Sequence, residues 1–211
     1  MVSCQRFETR SLWIASTAVF GALASVLSLL KIEIPYPVLV YLKFDLAEVP
    51  SICAFLLIGP SSGLAVATIH WLVLSARSWP PGALMKYLAV LATLSGLWLG
   101  TKIGRSNALS KTGLLALCAI LGIACRVLAM AAANLALFIV LFPGYLEFAK
   151  TLLSMSGINC ETTAEALLWT SLLTASFNAL HVPLDLLPSY ALLRALPRTT
   201  NLGAWIWEKR S

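Results

Sequence analysis

Charge is what this chain has least of: Asp, Glu, Lys and Arg make up 11% of its 211 residues, against about 25% in an ordinary soluble domain. Acidic residues number nine against fifteen Lys and Arg, and there are two histidines, His70 and His181. With 59% hydrophobic residues and a mean hydropathy of +0.86, the polar residues are too few to cover a water-soluble globule. Neither histidine has a His or Cys partner at ligand spacing, which excludes the usual metal centres. No Walker-type glycine-rich loop occurs, so the chain does not hydrolyse ATP itself. Matching broken helices in two halves, the mark of inverted-repeat transporters, are also missing. The five cysteines, at 4, 53, 118, 125 and 160, are an odd number, and three stand in apolar runs. They suit helix packing better than disulfides.

Long apolar runs are what the chain has instead, at 12–30, 52–76 with a break, 83–100, 114–142 and 164–196. A hydrocarbon core of about 30 Å takes about 20 helical residues. The break, Gly59-Pro60-Ser61-Ser62-Gly63, joins a helix-ending residue to a helix-starting one, and can be a turn between two short helices or a kink in one. A turn gives six spans, near 11–30, 45–58, 60–76, 83–101, 114–142 and 164–196. Arg6, Arg10, Lys102, Arg105, Lys111, Arg194, Arg198, Lys209 and Arg210 then share one side with both termini. Lys31, Lys43, Arg77, Lys86 and Lys150 lie on the other. That excess fits the positive-inside rule, and a kink would reverse it. The expected fold is therefore an all-α integral membrane protein, a single membrane domain over 1–211. It is a compact bundle of six transmembrane helices, multi-pass in the plasma membrane with both termini cytoplasmic. The formal charge of +6 then anchors cytoplasmic loops and needs no nucleic-acid partner.

Residues 31–44 hold Pro35 and Pro37 around Tyr36 and form an outer loop, a candidate gate. Asp45 with Glu48 three residues later reads as a helix cap. On the first helix, Ala18 and Ala22 stack one turn apart, as do Thr17, Gly21 and Ser25. Such faces admit close approach of another helix, in this protein or in a partner. An outer segment with Glu147, Glu161 and Glu165 is expected to include a short amphipathic helix.

Arg126, Met130 and Asn134 share one face of the fifth helix, and Asn178, His181 and Asp185 one stripe of the sixth. An ionisable residue inside a span costs about 2.5–3.5 kcal/mol on insertion scales and needs a partner, so an ion pair of Arg126 with Asp185 is expected. Asn134 and Asn178 can bridge helices or offer amides to a heterocycle edge. His181 can pack between helices or touch a ligand. Arg126, His181 and Asp185 could also form the polar site of a small membrane enzyme or assembly factor.

Leu42-Lys43-Phe44-Asp45-Leu46, Val49-Pro50, then Ile58-Gly59-Pro60 and Gly63 resemble the second-helix signature of substrate-binding S components of energy-coupling-factor (ECF) vitamin transporters, closest to the riboflavin-specific branch. Arg126 to Asn134 is similar to the fifth-helix motif of that branch, and Phe177-Asn178-Ala-Leu-His181 to its sixth, with His181 where the family usually has Lys. The resemblance implies a non-enzymatic subunit that captures riboflavin from outside, as transported ligand and not as cofactor; another vitamin or a nucleobase-like ligand is the alternative. Its partners would be a transmembrane coupling subunit, reached through Ala18 and Ala22, and two ATP-binding subunits. The bundle would topple in the lipid bilayer to deliver its cargo. Asn134 and Asn178 would bind the ring edge beside His181 and Met130, under a loop contributing Tyr36 and Tyr41.

Overall fold

The computed structural model describes residues 2–78 and 80–195, with side chains from Arg10 onward. The side chains of Cys4 and Arg6 lie outside that set, as do Leu196, Arg198, Lys209 and Arg210. The chain begins with α1 (Val2–Leu30) and enters a two-stranded hairpin, β1 (Glu33–Pro35) and β2 (Lys43–Asp45), followed by α2 (Val49–Leu57) and α3 (Pro60–Arg77). Next come α4 (Pro80–Ser106) and α5 (Lys111–Ala136), which runs on as a π-helical turn over Leu137–Leu141. A short outer helix, α6 (Gly144–Met155), and the long α7 (Thr163–Ala195) complete it.

The all-α expectation lacked the hairpin. Its strands are antiparallel, with Glu33 opposite Asp45, Ile34 opposite Phe44 and Pro35 opposite Lys43, and Tyr36 N–H donates to the Leu42 carbonyl at 2.8 Å to close the loop. Pro35 is tolerated because proline gives up only a ladder donor on an edge strand. The second helix starts at Val49, later than expected, with Pro50 in its first turn, where no N–H is needed.

All nine residues of α2 are buried, since Val-Pro-Ser-Ile-Cys-Ala-Phe-Leu-Leu has no polar face to turn outward. It packs against α1, α3 and α7. Between α2 and α3 the chain reverses at Gly59, whose φ of 128° is a backbone state open chiefly to glycine. A Cβ on Gly63 would stand 3.2 Å from the Phe55 Cα, a proximity that a single continuous helix does not allow. The Gly59-Pro60 break is therefore a turn.

Among the described residues, three helical stretches are long and apolar enough to cross a membrane, Arg10–Leu30, Pro80–Ser106 and Lys111–Leu141. Their outer faces are apolar, with Val19 66%, Leu128 71% and Val140 72% exposed, whereas Arg126, Glu48, His181, Asp185 and Asn178 are buried. Apolar outside and polar within is the distribution that lipid requires.

Small residues set the helix contacts. Gly96, Gly100 and Gly104 form one row on α4, and α5 closes on it so tightly that a Cβ at Gly96 would meet the Gly122 Cα at 2.6 Å and one at Gly100 the Cys118 Cα at 2.7 Å. On α1 the Thr17 and Gly21 row faces α3: Thr17 Oγ1 and Ser62 Oγ share a hydrogen bond of 2.7 Å, and Gly21 abuts Ile69. The neighbouring Ala18 and Ala22 row is exposed.

Replacing Gly96 by Val should therefore force α4 from α5 and cost more than the ~1–3 kcal/mol of ordinary overpacking, because its obstacle is backbone. Gly144→Ala, which meets nothing within 4 Å, should leave the detergent melting temperature nearly unchanged. Equal melts for the two variants would contradict this packing.

Candidate ligand-binding site

A cavity of about 400 Å³ lies beneath the hairpin, walled by α4, α5, the π-helical turn and α7. That volume falls within the ~300–1,000 Å³ of small-molecule sites. Among its lining residues are Tyr41, Met130, Asn134, Phe177, Asn178 and His181. The helical spacings explain this: Met130 and Asn134 are one turn apart on α5, and Asn178 and His181 nearly so on α7. Of the residues the sequence proposed for binding, Tyr36 does not line the cavity. Its hydroxyl bonds the Ser176 Oγ at 2.8 Å, and its ring meets Phe44 and Phe177 edge-on at 6.0 and 5.8 Å.

The floor of the cavity is an ion network centred on Arg126, 2% exposed. Its Nη1 donates to Glu48 Oε2 at 2.6 Å and to Thr93 Oγ1 at 3.2 Å. Nη2 donates to Glu48 Oε1 at 3.2 Å and meets His181 Nδ1 at 3.2 Å, while Nε donates to Asn178 Oδ1 at 3.0 Å. A guanidinium has five N–H donors and no acceptor, so every donor of Arg126 is engaged. The contact with His181 also fixes a tautomer: Nδ1 must accept, which places the ring proton on Nε2, 3.4 Å from the Asp45 carbonyl and 3.5 Å from Asp185 Oδ2.

Two expectations are corrected here. Arg126 pairs with Glu48 and not with Asp185, because Glu48, just before α2, reaches the guanidinium with both oxygens. Nor do Asp45 and Glu48 cap a helix: the Glu48 side chain makes no capping bond, and Asp45 Oδ1 accepts from Ala47 N–H at 2.9 Å in the turn before α2. The other Asp45 oxygen pairs with Lys86 of α4. Glu48 was missed because a carboxylate three residues after an aspartate has a ready local explanation; its burial within an apolar stretch was the available signal.

At the rim the hairpin is tied down by weaker, wetter contacts. Glu33 accepts from Lys43 Nζ at 2.7 Å and lies 3.5 Å from Arg77 Nη2. Burial raises the Glu33 pKa, but Lys43, Lys86 and Arg77 outweigh it and hold the carboxyl below its ordinary value. Phe44 packs on Phe177 at 4.6 Å and on His181 at 5.4 Å between ring centroids.

With these pairs made, Lys43, Lys86 and Arg126 are all matched by carboxylates. The buried polar atoms facing the cavity without a partner among the described residues are neutral: Tyr41 Oη, Asn134 Nδ2 and Thr174 Oγ1. Burial pushes the Tyr41 pKa further up, keeping its hydroxyl protonated. Asn178 faces the same space, but its Oδ1 is held by Arg126 and its Nδ2 donates to the Thr174 carbonyl at 2.8 Å. Glu48, His181 and Asp185 bring one potential metal-ligand atom each within 4.8 Å of one another. The protonated His181 Nε2 points into that space, however, and cannot ligate as it stands.

A family model described as ECF transporter, substrate-specific component, matches residues 13–187. No curated protein matches the sequence. A solved structure described as "Structure and mechanism of the S component of a bacterial ECF transporter" is similar in fold, with a TM-score of 0.63 and 22% identity over 89% of this chain and 96% of that one.

Glu48→Gln should cost about 3–5 kcal/mol, the penalty for stranding a buried charge, read as a lower melting temperature in detergent; a melt like that of the unmodified chain would refute the network. A second outcome concerns acid. Glu33 contributes ion-pair stability above its unfolded pKa, and this is lost as pH falls through its depressed folded value. Amide exchange across 33–45, corrected for its intrinsic pH dependence, should accelerate there, and Glu33→Gln should show that faster exchange already at neutral pH.

Proposed function

We propose, from the premise that the chain belongs to the family of ECF transporter substrate-specific components, that it is the membrane subunit capturing riboflavin for such an importer. The observation that carries this reading is the cavity whose cations are all internally paired and whose unpartnered buried atoms are neutral donors on Tyr41, Asn134 and Thr174. A flavin is uncharged, flat and rimmed by carbonyl and ring-nitrogen acceptors. Asn134 Nδ2 would donate to that rim, Met130 and Phe177 would hold the flat face, and Tyr41 would close over it from the hairpin. An anionic ligand is disfavoured because Arg126 has no donor to give it. The engagement of Arg126 and His181 with their neighbours argues against a membrane enzyme working through them.

A second neutral heterocycle remains the alternative, favoured by one observation. Both His181 nitrogens are committed to Arg126 and to the hairpin side, so the ligand contact of the lysine usual at this position would be lost.

In this reading the chain crosses the plasma membrane six times with cytoplasmic termini, the hairpin and α6 on the outer face. The exposed Ala18 and Ala22 row docks on the coupling subunit, with two ATP-binding subunits behind it. Toppling of the bundle then carries the filled cavity inward.

Riboflavin fluorescence should be quenched stoichiometrically on titration with the purified protein, and Asn134→Leu should weaken binding by about 10- to 100-fold, as expected for an unmet buried hydrogen bond of ~1–3 kcal/mol. Absence of quenching at saturating protein would refute riboflavin. Ala18→Trp with Ala22→Trp should abolish assembly with the coupling subunit and leave flavin binding in detergent intact; loss of both would mean that this face packs internally.

A further inference from the structure

The buried charges do not balance. Arg126 is matched by Glu48 through both carboxylate oxygens, which leaves Asp185 over. Asp185 is fully buried, and neither of its oxygens has a hydrogen-bond partner among the described residues. Its closest approach is from His181 Nε2 at 3.5 Å, and Glu48 Oε1 lies 3.8 Å from the same nitrogen. Two carboxylates thus flank one N–H, and the one guanidinium is bidentate on only one of them.

Among the described residues, no neighbouring group supplies the missing positive charge. On α7, His181 cannot be an imidazolium while its Nδ1 accepts from Arg126. On α4, Lys86 is paired with Asp45 of β2, and Thr93 is neutral. On α3, His70 is buried, and its Nε2 meets no acceptor among the described residues that would hold a second ring proton. On α2 itself every residue from Val49 to Leu57 is uncharged. An ionised carboxylate without partners in such a medium is costly enough that it neutralises instead, and two carboxylates sharing a site do not both ionise readily.

We infer that Asp185 is a buried proton-binding site, holding one proton at neutral pH so that the cluster of Arg126, Glu48, His181 and Asp185 carries no net charge inside the bundle. The proton sits on the Asp185 carboxyl, which lies 3.5 Å from His181 Nε2. Loss of that proton to solvent would leave a second anion competing with Glu48 for Arg126 and with the Asp45 carbonyl for His181 Nε2–H. Since Asp45 ends β2, the hairpin over the cavity is the element that deprotonation would loosen. The inference does not depend on which ligand the cavity takes.

Infrared absorption of the full chain in detergent, recorded for wild type and Asp185→Asn in H₂O and D₂O, tests it. The wild type at neutral pH should show the carbonyl stretch of a neutral carboxylic acid, shifted by deuterium and absent from Asp185→Asn. The two melting temperatures should coincide at neutral pH, with the wild type falling away as alkali removes the proton and the Asn variant unaffected. Should Asp185→Asn fail to fold, Asp185→Ser provides the subtraction, and loss of the band on alkaline titration of the wild type gives the same answer without a variant. A difference spectrum lacking the band overturns the inference. So does wild-type stability that rises with sodium over choline at equal ionic strength, which would mean that a metal cation balances Asp185.

Discussion

The bidentate pair between Arg126 and Glu48 is the contact on which the rest of the interior depends. A guanidinium removed from water must have its donors met, and here a single side chain on α5 draws on four residues from three other parts of the chain: Glu48 before α2, Thr93 on α4, and Asn178 and His181 on α7. Apolar packing in lipid gives helices little directional preference, because lipid tails are as oily as the side chains they replace. A charged hub with fixed geometry supplies that direction. The same hub determines what the cavity can offer: it holds the Asn178 carbonyl and the His181 tautomer, and it leaves no donor over for a guest.

Floor and hairpin are built from the same residue types with opposite consequences. At the floor, Arg126 and Glu48 side chains are 2% and 1% exposed, while at the rim Lys43 is 49% exposed against Glu33. Breaking a pair of the first kind costs several kcal/mol; pairs of the second kind are worth about 0–1 kcal/mol. The hairpin is held by rim pairs, by the drier pair of Asp45 with Lys86 and by the contacts of Phe44, over a floor built on a fully buried pair.

Much of this could be read from residue spacing. The period of the fifth helix set Arg126, Met130 and Asn134 on one face, and the sixth-helix stripe carried Asn178, His181 and Asp185. All but Asp185 line the cavity. The Gly59-Pro60 break left a turn or a kink open on local backbone chemistry, and the distribution of Lys and Arg favoured the turn. What spacing could not show was partner choice across the chain. Asp185 and Glu48 were equally available to Arg126, and the distinction rests on a route from the hairpin into the bundle that no local pattern encodes. The hairpin was hidden for a related reason: its strands are three residues long and rely on the helix ends below them. The two alanine and glycine rows of α1 looked alike in sequence, and packing separated them by turning Gly21 inward and Ala18 and Ala22 outward.

The cations lining the cavity are paired internally, so the proposed guest is neutral. Parallel titration of the purified protein with riboflavin and with its 5′-phosphate tests this most directly. The neutral flavin should bind at least about tenfold more tightly, ~1.4 kcal/mol, because the phosphate meets no unpaired cation among the residues lining the cavity. Tighter binding of the phosphate, weakened by salt, would contradict it.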